Sequence, residues 1–201
     1  MAANGRPEWG AAANLALIGF MGAGKSTIGR LCAARLGYAF RDADAVIVAR
    51  AGMSIPEVFM AEGEAGFRAR EREVIAELAA GRRQVIATGG GSVLDRTNRA
   101  RLRASCAIAG LRARPETILD RVGDPAARPL LAAAADPASR VTELLARRAP
   151  VYASCADRTF DTDALTADEV AEQVVAWYGS VSATDAARGR RGAPRRSGLR
   201  E

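Results

Sequence analysis

The chain has 201 residues, of which 49% are hydrophobic and 26% are charged. This length and composition are typical of one globular domain with its own core and leave no room for a second catalytic domain. The sequence has no histidine and no apolar run near the roughly 20 residues that a membrane-spanning helix needs, which excludes imidazole-based catalysis and a membrane-spanning protein. Three isolated cysteines, Cys32, Cys106 and Cys155, match neither a disulfide framework nor a zinc site, so we expect them to be buried or half-buried apolar residues.

The formal net charge of +6 is concentrated at one end of the chain. Residues 180–201 carry six arginines and two acidic residues, a net charge of +4, which leaves +2 for residues 1–179. Any nucleic-acid signal is therefore confined to this terminal segment, and we expect no specific nucleic-acid binding. Of the 29 basic residues, Lys25 is the single lysine, which marks it as a candidate functional residue.

Both ends of the chain lack the periodicity of folded elements. Residues 1–13 are predicted to form a flexible extension, and residues 180–201, with almost no large apolar side chains, a disordered tail. Residues 14–179 are predicted to form the folded domain. The beginning of the chain has no apolar stretch typical of a secretory signal, so we expect a cytoplasmic protein.

Five short segments are predicted to form strands. In chain order they are Leu15–Ile18, Tyr38–Arg41, Val85–Thr88, Cys106–Leu111 and Arg158–Phe160. Helices are expected between them, because apolar periodicity runs from about Lys25 to Leu36 and from Ala167 to Tyr178. Capping boxes, Ser54 with Glu57 and Thr166 with Glu169, mark two helix starts.

The alternation of strands and helices predicts an α/β fold with a mainly parallel sheet. We expect three layers, with a central sheet of about five strands and helices on both faces. In such folds the ligand site lies at the carboxyl ends of the strands.

A phosphate loop is predicted between the first strand and the first helix. The segment Gly19-Phe20-Met21-Gly22-Ala23-Gly24-Lys25-Ser26 matches the pattern G-x-x-x-x-G-K-[ST] in the strand-to-helix context that the motif requires. Backbone N–H groups of such a loop, and the positive end of the following helix, hold the α- and β-phosphates of a nucleotide. Lys25 is expected to bridge the β- and γ-phosphates, and the Ser26 hydroxyl to coordinate Mg²⁺. A glycine-rich turn with a surface lysine is the structural alternative.

Two carboxylates, Asp42 and Asp44, follow the second predicted strand. If the strand continued, their side chains would face the same way. One carboxylate there can orient Mg²⁺ through water, and the other can accept a proton from an attacking hydroxyl. Taken alone, the pair fits two solvated loop aspartates equally well.

Further motifs follow in order along the chain. They are Asp42-x-Asp44, Gly52-Met53-Ser54-Ile55, Gly63-Glu64-Ala65-Gly66-Phe67-Arg68-x-x-Glu71, Val85-Ile86-Ala87-Thr88-Gly89-Gly90-Gly91, Arg128-Pro129-Leu130-Leu131 and Arg147-Arg148-Ala149-Pro150-Val151-Tyr152. With the phosphate loop, this ordered set resembles the shikimate kinases over residues 14–178. The resemblance implies a P-loop kinase similar to the nucleoside monophosphate kinase group, with a mobile lid at about residues 123–135. One departure is Val48, where the family often has a glutamate that can form an ion pair near the site entrance.

The resemblance implies roles on the acceptor side. Arg68 and Arg148 match the arginines that bind the substrate carboxylate, for which a planar guanidinium is suited. Each would otherwise be interpreted as a solvated helix arginine. Asp44 matches the residue that holds the substrate hydroxyls and takes the attacking proton. Backbone N–H groups reach the substrate from a turn formed by Gly89, Gly90 and Gly91.

The resemblance also implies an ATP site with one Mg²⁺ per subunit. The residues implied in ATP binding are Gly22, Ala23, Gly24, Lys25, Ser26, Thr27, Arg121 and Arg128. Ser26 binds Mg²⁺ directly and Asp42 binds it through water. Arg128 matches the lid arginine that folds over ATP and supplies charge in the transition state, so Lys25, Asp44 and Arg128 are the catalytic candidates.

The implied activity is transfer of the ATP γ-phosphoryl group to the 3-hydroxyl of shikimate, in the chorismate route to aromatic amino acids, by a monomer whose partners are ATP and shikimate. The nearest alternative is another small-metabolite kinase of this group, such as a gluconate kinase. A nucleotide-binding regulatory module without chemistry and a basic-tailed nucleic-acid binder are alternatives of other classes. The intact set of Lys25, Ser26, Asp44 and Arg128 argues against a loss of chemistry.

Overall fold

Five short segments pair into a sheet at the centre of the molecule. The computed structural model describes residues 13–123 and 136–189. Its strands are β1 (Asn14–Gly19), β2 (Ala39–Asp42), β3 (Gln84–Ala87), β4 (Cys106–Arg112) and β5 (Arg158–Asp161). All pairings are parallel, in the order β2-β3-β1-β4-β5. The predicted strands and their parallel arrangement are confirmed, with small differences at the strand ends.

The central strand β1 is buried along its whole length. Leu15 and Leu17 pack into the core on one face of the sheet, and Ala16 and Ile18 pack into the core on the other. This alternation follows from the two-residue period of a strand. A strand covered on both faces favours apolar side chains at successive positions, which explains the apolar run from Leu15 to Ile18.

Helices cover both faces of the sheet. In the described residues they are α1 (Lys25–Leu36), α2 (Ala43–Ala51), α3 (Ile55–Ala80), α4 (Arg96–Ser105), α5 (Pro115–Val122), α6 (Pro137–Cys155) and α7 (Ala167–Gly189), with a 3₁₀ turn at Ser92–Leu94. Helices α1 and α7 contribute Ile28 and Val174 to the core on one face. Helices α2, α3 and α4 contribute Ile47, Val74 and Leu102 to the core on the other face. The three predicted layers are confirmed.

Both predicted capping boxes are present. The Ser54 hydroxyl accepts the N–H of Glu57 at 3.4 Å, and the Glu57 carboxylate accepts the N–H of Ser54 at 2.7 Å. Thr166 and Glu169 make the same pair of contacts at 3.3 and 2.8 Å. Each box satisfies two N–H groups that the helix start would otherwise leave without a partner.

Helix α3 is bent at Gly63, which has a φ of 67° and an extended ψ of −178°. A residue with a Cβ is strained in this region, so glycine is the residue suited to the bend. The two arms are joined across it by a two-pronged ion pair, in which Arg70 donates to both Glu62 oxygens at 2.7 and 2.8 Å. The bend lets both arms of α3 border one cavity, described below.

The predicted end of the last helix at Tyr178 is wrong. Helix α7 continues to Gly189, so residues 180–189 of the predicted disordered tail are helical. A glycine inside a helix costs only about 1 kcal/mol relative to alanine, so Gly179 is a weak stop. Beyond it, Val181 is partly buried against the core and stabilises the continuation of the helix.

Residues 1–12, 124–135 and 190–201 lie outside the described part of the chain, and with them most of the predicted extension, most of the lid and the rest of the tail. Within the described ranges, no helix is both long and apolar enough to cross a membrane. All three cysteines are buried, and none forms a disulfide, as predicted. Burial raises the pKa of Cys32 to about 12 and that of Cys106 to about 11, which keeps these thiols neutral.

Candidate active site

The phosphate loop connects the carboxyl end of β1 to the start of α1. Gly19, Gly22 and Gly24 have φ values of 143°, 75° and 87°. At Gly19 a Cβ would lie 2.3 Å from the carbonyl oxygen of Leu111, so glycine is required there for space as well as for conformation. Gly24 is the residue before α1, and because it has no side chain it does not cap the first N–H groups of the helix. The first turn of α1 is therefore suited to bind an anion.

The Lys25 side chain lies folded over the phosphate loop. Its Nζ donates to the carbonyl oxygens of Gly19 at 2.9 Å and Phe20 at 2.8 Å, and the residue is buried. These contacts hold the ammonium group within the loop that would surround a phosphate.

Ser26 and Asp42 lie next to each other beside the phosphate loop. The Ser26 hydroxyl donates to the Asp42 carboxylate at 2.6 Å. The other Asp42 oxygen accepts the N–H groups of Asp44 and Ala45 and so caps α2. The strand therefore does not continue past Asp42, and Asp44 lies in the first turn of a helix. Both carboxylates nevertheless border one cleft, which is described next.

The phosphate loop opens into a cleft of about 530 Å³. The cleft is lined by Met21, Gly22, Gly24, Lys25, Ser26, Thr27, Ile28, Asp42, Asp44, Thr88, Gly90, Arg121, Thr162, Leu165, Ala167 and Val170. Polar groups lie near the loop, and apolar side chains from the start of α7 line part of the wall. A cleft of this size and composition is suited to a nucleotide.

Arg121 borders this cleft from the last turn of α5. Its guanidinium donates to the Thr162 hydroxyl at 2.9 Å and to the Thr162 carbonyl oxygen at 2.6 Å. The two bonds fix the guanidinium plane against the segment that follows β5.

A second, smaller cavity of about 90 Å³ adjoins the cleft. It is lined by Met21, Asp44, Ile55, Phe59, Phe67, Arg68, Glu71, Gly89, Gly90, Gly91 and Arg148. Met21, Asp44 and Gly90 line both cavities. The boundary between the two therefore carries a carboxylate, next to a cavity that contains two guanidinium groups.

Arg68 is held in this cavity by acidic partners. Its Nη1 donates to Glu71 at 2.8 Å, and its Nη2 lies 3.3 Å from Glu64. Glu71 is 1% exposed, and its other oxygen accepts the Ser92 hydroxyl at 2.7 Å. Burial lowers the pKa of Arg68, but the negative charges of Glu71 and Glu64 outweigh this effect and raise it above its ordinary value. Arg68 is thus a fixed, permanently charged cation.

Arg148 lies across the cavity on α6 and is only 8% exposed. Its guanidinium carbon is 5.6 Å from the centre of the Phe20 ring. Its Nη1 is buried and has no hydrogen-bond partner among the described residues. A buried cationic donor without a partner is costly, so the cavity is suited to an anionic ligand that completes it.

The glycine turn Gly89–Gly91 separates these groups. A Cβ at Gly89 would lie 2.8 Å from both Asp44 Oδ1 and Glu71 Oε1, and one at Gly91 would lie 2.7 Å from an Arg68 nitrogen. The glycines thus make room for the side chains of the site. The family resemblance implies that the missing side chains let backbone N–H groups reach the substrate, and the structure adds this second reason for glycine.

Comparisons with known proteins agree with this geometry. Residues 21–178 match the shikimate kinase family. The chain belongs to the shikimate kinase family. A shikimate kinase from Symbiobacterium thermophilum is 45% identical over 163 residues, which cover 81% of this chain and 94% of that protein. A shikimate kinase structure from Acinetobacter baumannii, in complex with shikimate, is 37% identical with a TM-score of 0.80 and covers 84% of this chain and 93% of that one.

The gluconate kinase alternative is represented by a more distant structure. A gluconokinase from Sinorhizobium meliloti is 17% identical, with a TM-score of 0.51 and coverage of 90% of this chain and 98% of that one. At this identity the likeness shows the fold alone. The sequence and structural comparisons therefore favour the shikimate kinase family over the alternative.

Most residues implied by the resemblance to shikimate kinases lie around the two cavities. They are Gly22, Gly24, Lys25, Ser26, Thr27, Asp42, Asp44, Arg68, Gly89, Gly90, Gly91, Arg121 and Arg148. Ala23 differs, because it is fully buried beneath the loop and its side chain packs in the core. Arg128 lies outside the described residues.

The structure also shows contacts of three residues near the site to which we assigned no role from sequence. Glu71 holds Arg68, Ser92 holds Glu71, and Tyr152 donates a hydrogen bond to the Gly90 carbonyl. The spacing of Arg68 and Glu71, three residues apart on a helix, is a signal for their ion pair. Ser92 and Tyr152 carry no such local signal, because their partners come from distant parts of the chain.

The residues at the phosphate loop fit a magnesium ion that is bound mainly by nucleotide and water. In residues 13–123 and 136–189, no three or more His, Cys, Asp and Glu side chains form a metal-binding cluster. The hydroxyl of Ser26 and the carboxylate of Asp42 instead place hard oxygen ligands side by side at the start of α1. Mg²⁺ is typically held by one or two such protein ligands together with substrate phosphates.

Proposed function

We propose that the chain transfers the γ-phosphoryl group of ATP to the 3-hydroxyl of shikimate, giving shikimate 3-phosphate and ADP in the chorismate route to aromatic amino acids. The observation that carries this proposal is the boundary between the two cavities. Asp44 borders both the phosphate-loop cleft and the small cavity that contains Arg68 and Arg148. A donor phosphate on one side and an acidic acceptor on the other would therefore meet at a carboxylate.

On the donor side, the phosphate loop and the first turn of α1 bind the ATP phosphates. Backbone N–H groups provide most of the contacts, and Thr27 lines the cleft beside them. Lys25, which donates to two loop carbonyls, transfers these hydrogen bonds to phosphate oxygens and follows the charge that develops on them. Arg121, fixed by Thr162, contributes positive charge from the opposite wall.

Ser26 and Asp42 are the residues that hold Mg²⁺, the first through its hydroxyl and the second through water. When bound, Mg²⁺ supplies positive charge to the β- and γ-phosphate oxygens. The 2.6 Å hydrogen bond between Ser26 and Asp42 supports this assignment, because it keeps both oxygens on the same side of the loop.

On the acceptor side, Arg148 and Arg68 bind the shikimate carboxylate. The buried Nη1 of Arg148 is a charge-assisted donor that a carboxylate oxygen can satisfy. Arg68 provides a second cation whose orientation Glu71 fixes at 2.8 Å. With the carboxylate bound here, the ring hydroxyls of the acceptor extend toward Asp44 and the glycine turn.

In the transfer step, Asp44 accepts the proton of the attacking hydroxyl while Lys25 stabilises the charge on the transferred group. We also propose that Arg128 closes over ATP from the lid, supplies charge to the transition state and excludes water. Binding and orientation provide most of the remaining catalysis, since phosphoryl transfer needs little covalent help from protein side chains.

The proposed kinase acts as a monomer in the cytoplasm. Sedimentation at the assay concentration tests the oligomeric state.

The test of the function is an ADP-release assay with pure shikimate, quinate and gluconate as separate acceptors. We expect shikimate-dependent ADP release, with one phosphate on the 3-hydroxyl of the product by phosphorus NMR. Faster turnover of gluconate than of shikimate would favour the alternative kinase, and ADP release that no acceptor stimulates would contradict both.

A further inference from the structure

Tyr152 lies on α6 one turn after Arg148, on the helix that borders the acceptor cavity. Its hydroxyl donates to the carbonyl oxygen of Gly90 at 2.5 Å. This is a contact between residues far apart in the chain, and it ties α6 to the turn that follows β3.

Gly90 occupies a special position in the site because it lines both cavities. Its backbone also packs against the phosphate loop, where a Cβ would lie 3.2 Å from the Met21 nitrogen. A displacement of Gly90 would therefore change the acceptor cavity and the wall it shares with the nucleotide cleft.

The 3₁₀ turn Ser92–Leu94, which follows the glycine turn, is held by side chains of α4. The Asn98 side chain donates to the Ser92 carbonyl oxygen at 3.1 Å, and Arg99 donates to that of Val93 at 2.6 Å. Both residues belong to α4. The glycine turn is thus fixed at Gly90 from α6, whereas the following 3₁₀ turn is fixed from α4 and, through Glu71, from α3, so loss of the Tyr152 hydroxyl would loosen mainly the glycine turn.

We propose that Tyr152 is a positioning residue whose hydroxyl holds Gly90 against the phosphate loop and so sets the shape of the acceptor cavity beside Arg148. This inference rests on the proposed function for its kinetic consequence but not for its structural one. Burial raises the pKa of the Tyr152 hydroxyl, while the positive charge of Arg148, a side-chain hydrogen bond with Arg148 and the positive charge of Arg68 oppose that rise. The group therefore stays protonated and able to donate at neutral pH.

The hydroxyl of Tyr178 provides a matched control. It also donates to a backbone carbonyl, that of Ala13, at 2.5 Å. Tyr178 lies on α7, and its main-chain partner, Ala13, lines neither cavity, whereas the partner of Tyr152, Gly90, lines both. Tyr152→Phe and Tyr178→Phe therefore each remove one tyrosine hydroxyl that bonds a main-chain oxygen, one beside the site and one far from it.

The experiment compares both variants with the full-length wild-type chain. A neutral hydrogen bond of this kind corresponds to about 2- to 12-fold in an equilibrium constant, so Tyr152→Phe should raise the KM and calorimetric Kd for shikimate about 5-fold. Gly90 also lines the nucleotide cleft, but the N–H groups of the phosphate loop are unchanged, so the KM for ATP should rise by less, about 2-fold. Tyr178→Phe should leave both KM values at the wild-type level, although its melting temperature falls at least as much.

Hydrogen exchange of the peptide spanning residues 88–94, without substrate, provides a second readout. Exchange there should increase in Tyr152→Phe and stay unchanged in Tyr178→Phe. A Tyr152→Phe variant with wild-type exchange and wild-type shikimate affinity would overturn the inference, and so would an equal loss of shikimate affinity in both variants. If wild-type enzyme does not phosphorylate shikimate, the proposed function fails, and the exchange comparison alone decides whether Tyr152 fixes the turn.

Discussion

The two halves of the site are built in different ways. The nucleotide half comes mainly from one continuous segment, Gly19–Ser26, whose backbone conformation three glycines define. The acceptor half collects side chains from separate elements: Asp44 from α2, Arg68 and Glu71 from α3, and Arg148 from α6. One half is a local structure, and the other exists only when the helices pack against each other.

This difference separates what each half needs for function. In the proposed function the nucleotide half binds mainly with backbone N–H groups, so its affinity for ATP should survive most single side-chain changes. The acceptor half binds with buried cations that need partners, so its affinity should depend on individual side chains and on the residues that hold them. Substitutions that affect one half without the other test this division.

The largest effect is expected from Lys25→Met. The substitution keeps most of the side-chain volume and removes the charge that follows the transferred phosphoryl group, so turnover should fall about 10³-fold or more. Shikimate binding, measured by calorimetry, should hardly change, because Lys25 does not line the acceptor cavity. A folded variant with near wild-type turnover would remove Lys25 from the mechanism.

Asp44→Asn should give the next largest effect. An amide cannot accept the proton of the attacking hydroxyl, so turnover should fall about 10²- to 10³-fold, within the range typical of general base catalysis. ATP affinity should be retained, because the phosphate loop is unchanged. Since Asp44 lines both cavities, a loss of ATP binding in proportion to turnover would place its role on the nucleotide side instead.

The same division explains what could be predicted from sequence. The phosphate loop was predicted residue by residue, because its function depends on consecutive residues and on glycines with positive φ. The three inner strands β1, β3 and β4 were predicted because strands buried in a parallel sheet carry short apolar runs. The end of α7 was not predicted, because it depends on the packing of Val181 against the core, which the local sequence pattern does not reveal.

The acceptor residues show where local patterns stop being informative. Arg147 and Arg148 are neighbours in an arginine-rich sequence, and only the family resemblance distinguished them. In the structure the Arg147 side chain is 70% exposed and pairs with Glu143, whereas Arg148 is 8% exposed and faces the cavity. Which face of α6 packs inward is a tertiary property. The roles of Ser92 and Tyr152 were missed for the same reason.

This pair of arginines provides the next prediction. Arg148→Ala should weaken shikimate binding by about 1.5 to 3 kcal/mol, the usual value of a charge-assisted hydrogen bond, which is about 10- to 150-fold in Kd. The KM for ATP should stay near wild type. Arg147→Ala, one position earlier on the same helix, is the matched control and should leave both constants unchanged. Equal weakening of ATP and shikimate binding by Arg148→Ala would contradict a division of the site into two halves.

The smallest effect is expected from Glu71→Gln, which tests whether the acceptor half depends on residues that only hold the binding groups. An amide has one acceptor oxygen, so it cannot accept both the Arg68 guanidinium and the Ser92 hydroxyl as the carboxylate does. Arg68 keeps a partner in Glu64, at 3.3 Å, so its charge is not left isolated.

We therefore expect Arg68 to lose orientation rather than charge, and the Kd for shikimate to rise about 3- to 10-fold, within the value of one neutral hydrogen bond. Glu77→Gln is the control, since Glu77 lies on the same helix in an exposed ion pair with Arg50 and should leave the Kd unchanged. Loss of the Glu71 charge also raises the positive potential around the acceptor, which opposes the expected change. Calorimetry with shikimate decides between the two effects. Weaker shikimate binding means that Glu71 acts mainly by positioning Arg68. Tighter binding means that the Glu71 charge repels the anionic substrate by more than its hydrogen bond to Arg68 favours substrate binding.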